Sequence, residues 1–206
     1  CTVFTTIAGF FTAKFKMHPF ISTMANMLVI FGLVTYSTKG VSFGGIEGNI
    51  PSMIIPKIGG FPTIILWAIA AVIIVWFIWN KTTFGKNMFA VGSNPEAAKV
   101  SGVNVMKTTI LVHTLAGAMY GLTGFIESSR IGSNTANTGL NYECDAIAAC
   151  VIGGVSFVGG TGKISGVVLG VFLLRIIFVA LNFLSINMNM QYVIKGLIIL
   201  VACAID

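Results

Sequence analysis

Charge is nearly missing from this chain. Lys, Arg, Asp and Glu together make up 9% of its 206 residues, and six of those residues are acidic. Water-soluble domains carry about 25% charged residues, so a surface facing water on every side is excluded and a lipid-facing exterior is required. Histidine is scarce: His18 and His113 stand far apart, and His113 reads as a packed or interfacial residue rather than a catalyst. The four cysteines, Cys1, Cys144, Cys150 and Cys203, lack metal-ligand or redox spacing and read as small apolar fillers in reduced form. No catalytic residue and no metal site is expected. No signal-peptide pattern is visible. The chain opens at Cys1 inside apolar sequence, which is the expectation for a piece of a longer membrane domain.

The charge that remains leans positive, to a net +6. Nucleic acid is excluded as its target, because the lysines flank apolar runs instead of forming a patch with aromatic platforms. That distribution is the one that orients spans in a bilayer.

Long apolar runs are what the chain has in quantity. Residues 61–80, FPTIILWAIAAVIIVWFIWN, carry no charge. Twenty helical residues rise about 30 Å, one hydrocarbon core. Further spans are expected over 19–37, 108–126, 164–183 and 191–205, with 1–13 as the end of another. Pro19 suits the first turn of its helix. A glycine- and proline-rich loop is expected over 38–60, a polar segment over 81–107 and an Asn-, Ser- and Gly-rich loop over 127–141. Residues 143–158 are apolar but short. Their core, 146–158, reaches only about 20 Å as a helix, and Gly153 and Gly154 permit a bend, so crossing and re-entry both stay open. The fold class is all-α: a polytopic transmembrane helical bundle, one partial domain over 1–206, with one cytosolic helix inside 81–107.

Orientation follows from the basic residues. Lys14, Lys16, Lys81, Lys86, Lys99, Lys107 and Lys163 fall on one side, and Lys39, Lys57 and Arg130 on the other. The excess puts 81–107 in the cytosol. A re-entrant 143–158 would move everything after it to the opposite side. Gly117/Gly121 and Gly166/Gly170 form GxxxG pairs, which let helix backbones approach closely in lipid.

The polar segment contains a capped helix. Asn94 suits the N-cap, Pro95 the first helical position and Glu96 the positive end of the dipole. Ala97 and Ala98 favour helix, and Gly102 suits a left-handed residue after its end. About two turns, 95–101, are expected. Isolated helices below ~12 residues are marginal in water, so this one has to dock. Its Ala97/Ala98 face has almost no bulk, which suits close approach by another backbone.

The stretch GKNMFAVGSNPEAAKVSGVNV (85–105) resembles the cytosolic coupling loop of sugar-importing ABC permeases of the ribose and galactose type. The resemblance continues in ESSRIGSNTANTGLNYECDAIAACVIGGVSFVGGTG (127–162) and QYVIKGLIILVACAID (191–206), and covers most of the chain from residue 61 onward. It implies a multi-pass permease subunit in a bacterial inner membrane, part of an ATP-driven monosaccharide importer, with galactose or a methyl-galactoside favoured and ribose next. The partners it implies are a second permease chain in a homodimer, a cytosolic ATPase subunit and a periplasmic or extracellular sugar-binding protein. ATP and Mg would belong to the ATPase, leaving this chain without a cofactor. Gly85, Asn94, Pro95, Glu96, Ala97, Ala98, Ser101 and Gly102 would form the coupling surface, seated in a cleft of the ATPase and converting its closure into rocking of the spans.

The remaining polar features are weaker. GGTGKIS (159–165) falls short of a phosphate loop, with Phe157 where the first Gly belongs and Ile164 where Ser or Thr belongs, so ATP hydrolysis is not expected here. Glu143 and Asp145 either line a sugar path or cap the helix that follows. Asn134, Asn137 and Asn141 either contact the delivered sugar or its carrier, or form ordinary turns. Arg175 lies near mid-bilayer and should face the bundle interior or water, while Lys195 can snorkel from the last span. A competing class, the ion-coupled secondary transporter, needs inverted repeats and a midplane ionisable site. No clear repeat is visible, and Arg175 is the deep charge.

Overall fold

The computed structural model describes residues 1–44, 57–58 and 61–205. Helices dominate it: α1 (Thr2–Phe15), α2 (Pro19–Thr38), α3 (Thr63–Lys81), α4 (Thr83–Ser93), α5 (Pro95–Val100), α6 (Val105–Ile131), α7 (Tyr142–Ile152), α8 (Ile164–Phe183) and α9 (Met188–Ile205). Among the described residues α2, α3, α6 and α8 are long and apolar enough to cross a membrane. Four two-residue strands accompany them among the described residues. β1 (Phe43–Gly44) pairs antiparallel with β4 (Ser133–Asn134), and β2 (Lys57–Ile58) with β3 (Phe61–Pro62). Most of the loop expected over 38–60 lies outside the described residues.

Two compact units emerge: Cys1–Met88 with Ala98–Thr138, and Phe89–Ala97 with Gly139–Asp206. In the first, α1 packs along α6 and against α2. Small residues make this possible. A Cβ on Gly117 would collide with Thr5 Oγ1 and lie 3.0 Å from the Thr2 Cα, and one on Gly9 would lie 2.7 Å from the His113 Cβ. Hydroxyls then stitch the helices: Thr6 Oγ1 lies 2.9 Å from Thr114 Oγ1, and Ser22 Oγ donates to the Ala8 carbonyl at 3.1 Å. His113 is half-buried against Gly9, its Nδ1 2.9 Å from the Thr109 carbonyl.

In the second unit α7 lies against both α8 and α9. The core is built on Ala148, Ala149 and Leu174, with Ile152, Phe178 and Ile199 around it. Its closest approaches are backbone to backbone: Gly166 meets Gly153, and Gly170 meets the Ala149 carbonyl. Both GxxxG pairs thus mark helix packing, as lipid-embedded helices require where there is no hydrophobic drive between them. Large apolar side chains such as Trp67, Phe77, Phe172 and Phe183 are exposed while alanine and glycine are buried. That inverts the pattern of a water-soluble core.

Several expected boundaries move. The span at 164–183 matches α8, while 108–126 lengthens at both ends into α6. The apolar 143–158 stretch is helical only as α7, whose 11 residues rise about 16 Å, half a bilayer core. Gly153 ends it, with Gly154 at φ +78°. The polar 81–107 segment holds a helix that the sequence reading missed, α4. It starts at a sharp corner because Gly85 has no side chain: a Cβ there would strike the Trp79 carbonyl and lie 2.7 Å from that of Ile78. The Thr82 hydroxyl accepts from the Gly85 N–H at 3.2 Å and holds the corner.

Candidate functional site

The capped helix lies where the sequence puts it. The Asn94 Oδ1 accepts from the N–H groups of Glu96 and Ala97, each at 3.0 Å, filling two of the donors a helix start leaves open. The Asn94 N–H itself donates to the Ala90 carbonyl at 3.1 Å, so one residue closes α4 and opens α5. Pro95 occupies the first position, Glu96 the first turn and Lys99 the last turn. At the far end Gly102 adopts φ +84°. Its N–H donates to the Lys99 carbonyl at 3.1 Å, and that of Val103 to the Ala98 carbonyl at 3.0 Å. This pair of bonds is a Schellman closure, which leaves Ser101 as the C-cap and ends the helix at Val100, one residue earlier than expected. A second asparagine, Asn104, caps α6 by accepting from the Lys107 N–H at 3.0 Å. Its signal, a capping residue just ahead of an apolar run, is present in the sequence.

One expectation changes. Ala97 and Ala98 do not share an open face: Ala98 is 3% exposed, while Ala97 faces solvent. Adjacent helical residues point about 100° apart, so the surface open to another chain is made by Pro95, Glu96, Ala97, Lys99 and Val100. Val100 is 90% exposed and supplies the large apolar contact. Gly85 sits at the α3–α4 corner and is buried.

The segment that leads into α5 touches the glycine turn before α8. A Cβ on Gly92 would lie 2.8 Å from the Gly160 nitrogen, and one on Gly159 would lie 2.7 Å from the Gly92 carbonyl oxygen. The glycines that open GGTGKIS therefore lie against Gly92 and Ser93, directly ahead of the Asn94 cap.

The other candidate residues scatter. Asn134 stands in β4, opposite Phe43, and Asn137 is exposed in the turn that follows. Asn141 precedes α7 at φ +69° without a side-chain cap bond. Glu143 and Asp145 both lie in the first turn of α7, favourable to the dipole. Asp145 goes further and pairs with Lys195 of α9. The Lys195 ammonium also lies over the rings of Phe178 at 5.2 Å and Tyr192 at 5.3 Å. Lys195 is thus tied inward instead of snorkelling. Arg175, expected to face the bundle interior or water, is not in the interior of its unit. It lies on the exposed side of α8, in an open groove with Phe172, Ile176 and Phe183, because its neighbour Leu174 takes the buried face.

Comparison with known proteins adds to this geometry. The family model for the permease component of the branched-chain amino acid transport system matches residues 2–203. The chain is 46% identical over 215 residues to the galactose/methyl galactoside import permease protein of Treponema pallidum (strain Nichols), covering 100% of this chain and 40% of that one. It is 44% identical to the Escherichia coli (strain K12) protein of the same name, covering 97% of this chain and 62% of the relative. Against the Escherichia coli L-arabinose transport system permease protein identity is 39%, with 97% and 61% covered. The chain thus spans less than two thirds of the length of these relatives. No solved structure matches it.

Proposed function

Since this chain belongs to the permease component family of the branched-chain amino acid transport type, we propose that it forms transmembrane helices of a permease subunit in an ATP-driven importer of a monosaccharide. Galactose or a methyl galactoside is the favoured cargo. Support for a sugar over an amino acid comes from the 46% and 44% identical relatives, which are named for galactose and methyl galactoside import. The setting is a bacterial inner membrane, in keeping with α2, α3, α6 and α8.

The observation that carries the mechanism is α5. A six-residue helix, capped by Asn94 and closed at Gly102, is too short to persist in water unless something grips it. Its exposed face pairs an acidic first turn with Val100. A cytosolic ATPase, holding ATP and Mg, would seat this face and move it when its nucleotide sites close. A sugar-binding protein would deliver the cargo from outside, and a second permease chain would complete the pathway. Movement of packed helices as rigid groups then exposes the path to alternate sides.

The test is uptake of labelled galactose into vesicles holding the full transporter. Uptake requires ATP on the α5 side and the sugar-binding protein on the other, and unlabelled methyl galactoside competes better than ribose. Uptake driven by an ion gradient without ATP overturns the proposal and favours a secondary transporter.

A further inference from the structure

Gly92 and Ser93 close α4 just ahead of the Asn94 cap, and both rest on the turn that feeds α8. A Cβ on Gly92 would lie 2.8 Å from the Gly160 nitrogen and 3.3 Å from its Cα. In the other direction, a Cβ on Gly160 would strike the Ser93 hydroxyl and lie 2.7 Å from the Ser93 Cα. Gly92 therefore meets the loop backbone to backbone, while Ser93 meets Gly160 through both its Cα and its hydroxyl. Glycine is required twice over on the loop side, since Gly159 and Gly160 also hold φ of +104° and +73°. These glycines are the ones an incomplete phosphate loop left without a role.

The consequence is mechanical. Side chains in contact can change rotamer and absorb a displacement, whereas close-packed backbones pass it on. Beyond the contact the loop is braced. The Ser156 N–H donates to the Thr161 carbonyl at 3.3 Å, and a Cβ on Gly162 would lie 3.2 Å from the Val155 side chain. Then α8 locks to α7 through Gly166 and Gly153, and through Gly170 and Ala149.

We propose that the Gly92–Ser93/Gly159–Gly160 junction is the rigid link by which a pull on the Asn94-capped helix reaches α7 and α8, so that residues 89–97 and the loop 155–162 move as one body. This rests on the ATP-driven reading of the chain. It adds a second, loop-borne route of transmission beside the continuous chain through α5 into α6.

Two measurements on the assembled transporter in lipid test it. Spin labels at Ala90 and Val158, both exposed, report the junction directly once the four native cysteines are replaced. The expected result is one narrow distance, the same in nucleotide-free and ATP-bound states. A change of ~5 Å or more, the size of interface rearrangements in switching proteins, overturns the proposal. The second measurement is Gly92→Ala, with sugar transported per ATP hydrolysed as the readout. Alanine is the better helix former, so local propensity predicts no harm. The wedge at Gly160 is expected to leave hydrolysis intact and lower the ratio about fivefold, within the range by which residues along a coupled network alter coupling. An unchanged ratio overturns the link. If Gly92→Ala is poorly inserted, the label distance alone decides. A parent transporter that shows no ATP-driven uptake fails the functional reading instead, before any variant is compared.

Discussion

Gly153 and Gly166 meet backbone to backbone: a Cβ on Gly153 would lie 2.5 Å from the Gly166 carbonyl oxygen, and a Cβ on Gly166 would strike the Gly153 carbonyl in return. Reciprocal exclusion of this kind fixes how α7 lies on α8. Gly166→Ala and Gly153→Ala should each destabilise by ~1–3 kcal/mol, the usual cost of overpacking. The double variant should cost less than the two together, because either one already parts the helices. Thermal unfolding in detergent checks this, and full additivity would count against a shared contact.

The Asn94 cap gives a graded test. Asn94→Ala removes the acceptor for two N–H groups and should cost about 1 kcal/mol locally. Uptake should fall while the amount of protein in the membrane stays unchanged. Asn94→Asp and Asn94→Ser keep an acceptor and should retain most of the uptake.

The open face of α5 should tolerate little bulk. Ala97→Trp and Val100→Asp are expected to abolish co-purification of the ATPase, because both positions are exposed on the helix. Ala98→Trp should instead lower the folded amount, since that residue is buried. Stoichiometric ATPase binding by both exposed-face variants would remove this surface from the mechanism.

The Asp145–Lys195 pair joins α7 to α9 at partial burial. Its loss should fall between the ~0–1 kcal/mol of an exposed pair and the 3–5 kcal/mol of a buried one. Lys195→Met removes a cation that also rests on two rings, so it should cost more than Asp145→Asn. Melting temperatures in detergent should rank the variants in that order, and the exchanged pair Asp145→Lys with Lys195→Asp should recover part of the loss.

Sidedness can be read from single cysteines in a chain freed of its native ones. Positions 99 and 158 should stay unlabelled by an impermeant maleimide until the membrane is opened, while position 137 should label in intact cells. Labelling at 158 together with protection at 99 would show that the 142–163 stretch turns back without crossing.

Much of this was written in local chemistry. Asn94, Pro95 and Gly102 act within a few residues of themselves, through a side-chain acceptor, a fixed φ and a left-handed turn, so their roles could be read directly. The same holds for α8, whose apolar run is bounded on both sides. Ala98 was misread because a two-turn helix does not declare which of two adjacent alanines faces inward. Lys195 was misread because its carboxylate lies fifty residues away on another helix. GxxxG marked close approach at Gly166 and Gly170, yet it could not name Gly153 and Ala149 as what they approach.

Composition and spacing alone determined that this chain lives in lipid, where its spans run and how its short helix is capped, since each depends on hydropathy or on bonds between near neighbours. Tertiary structure decided the rest: that α7 stops after 11 residues, that Arg175 lies on the exposed side of α8 and that a glycine turn before α8 rests on Gly92 and Ser93. Those facts depend on which backbones come within van der Waals reach across long separations, and a GxxxG or glycine-rich string permits such contact without choosing its partner.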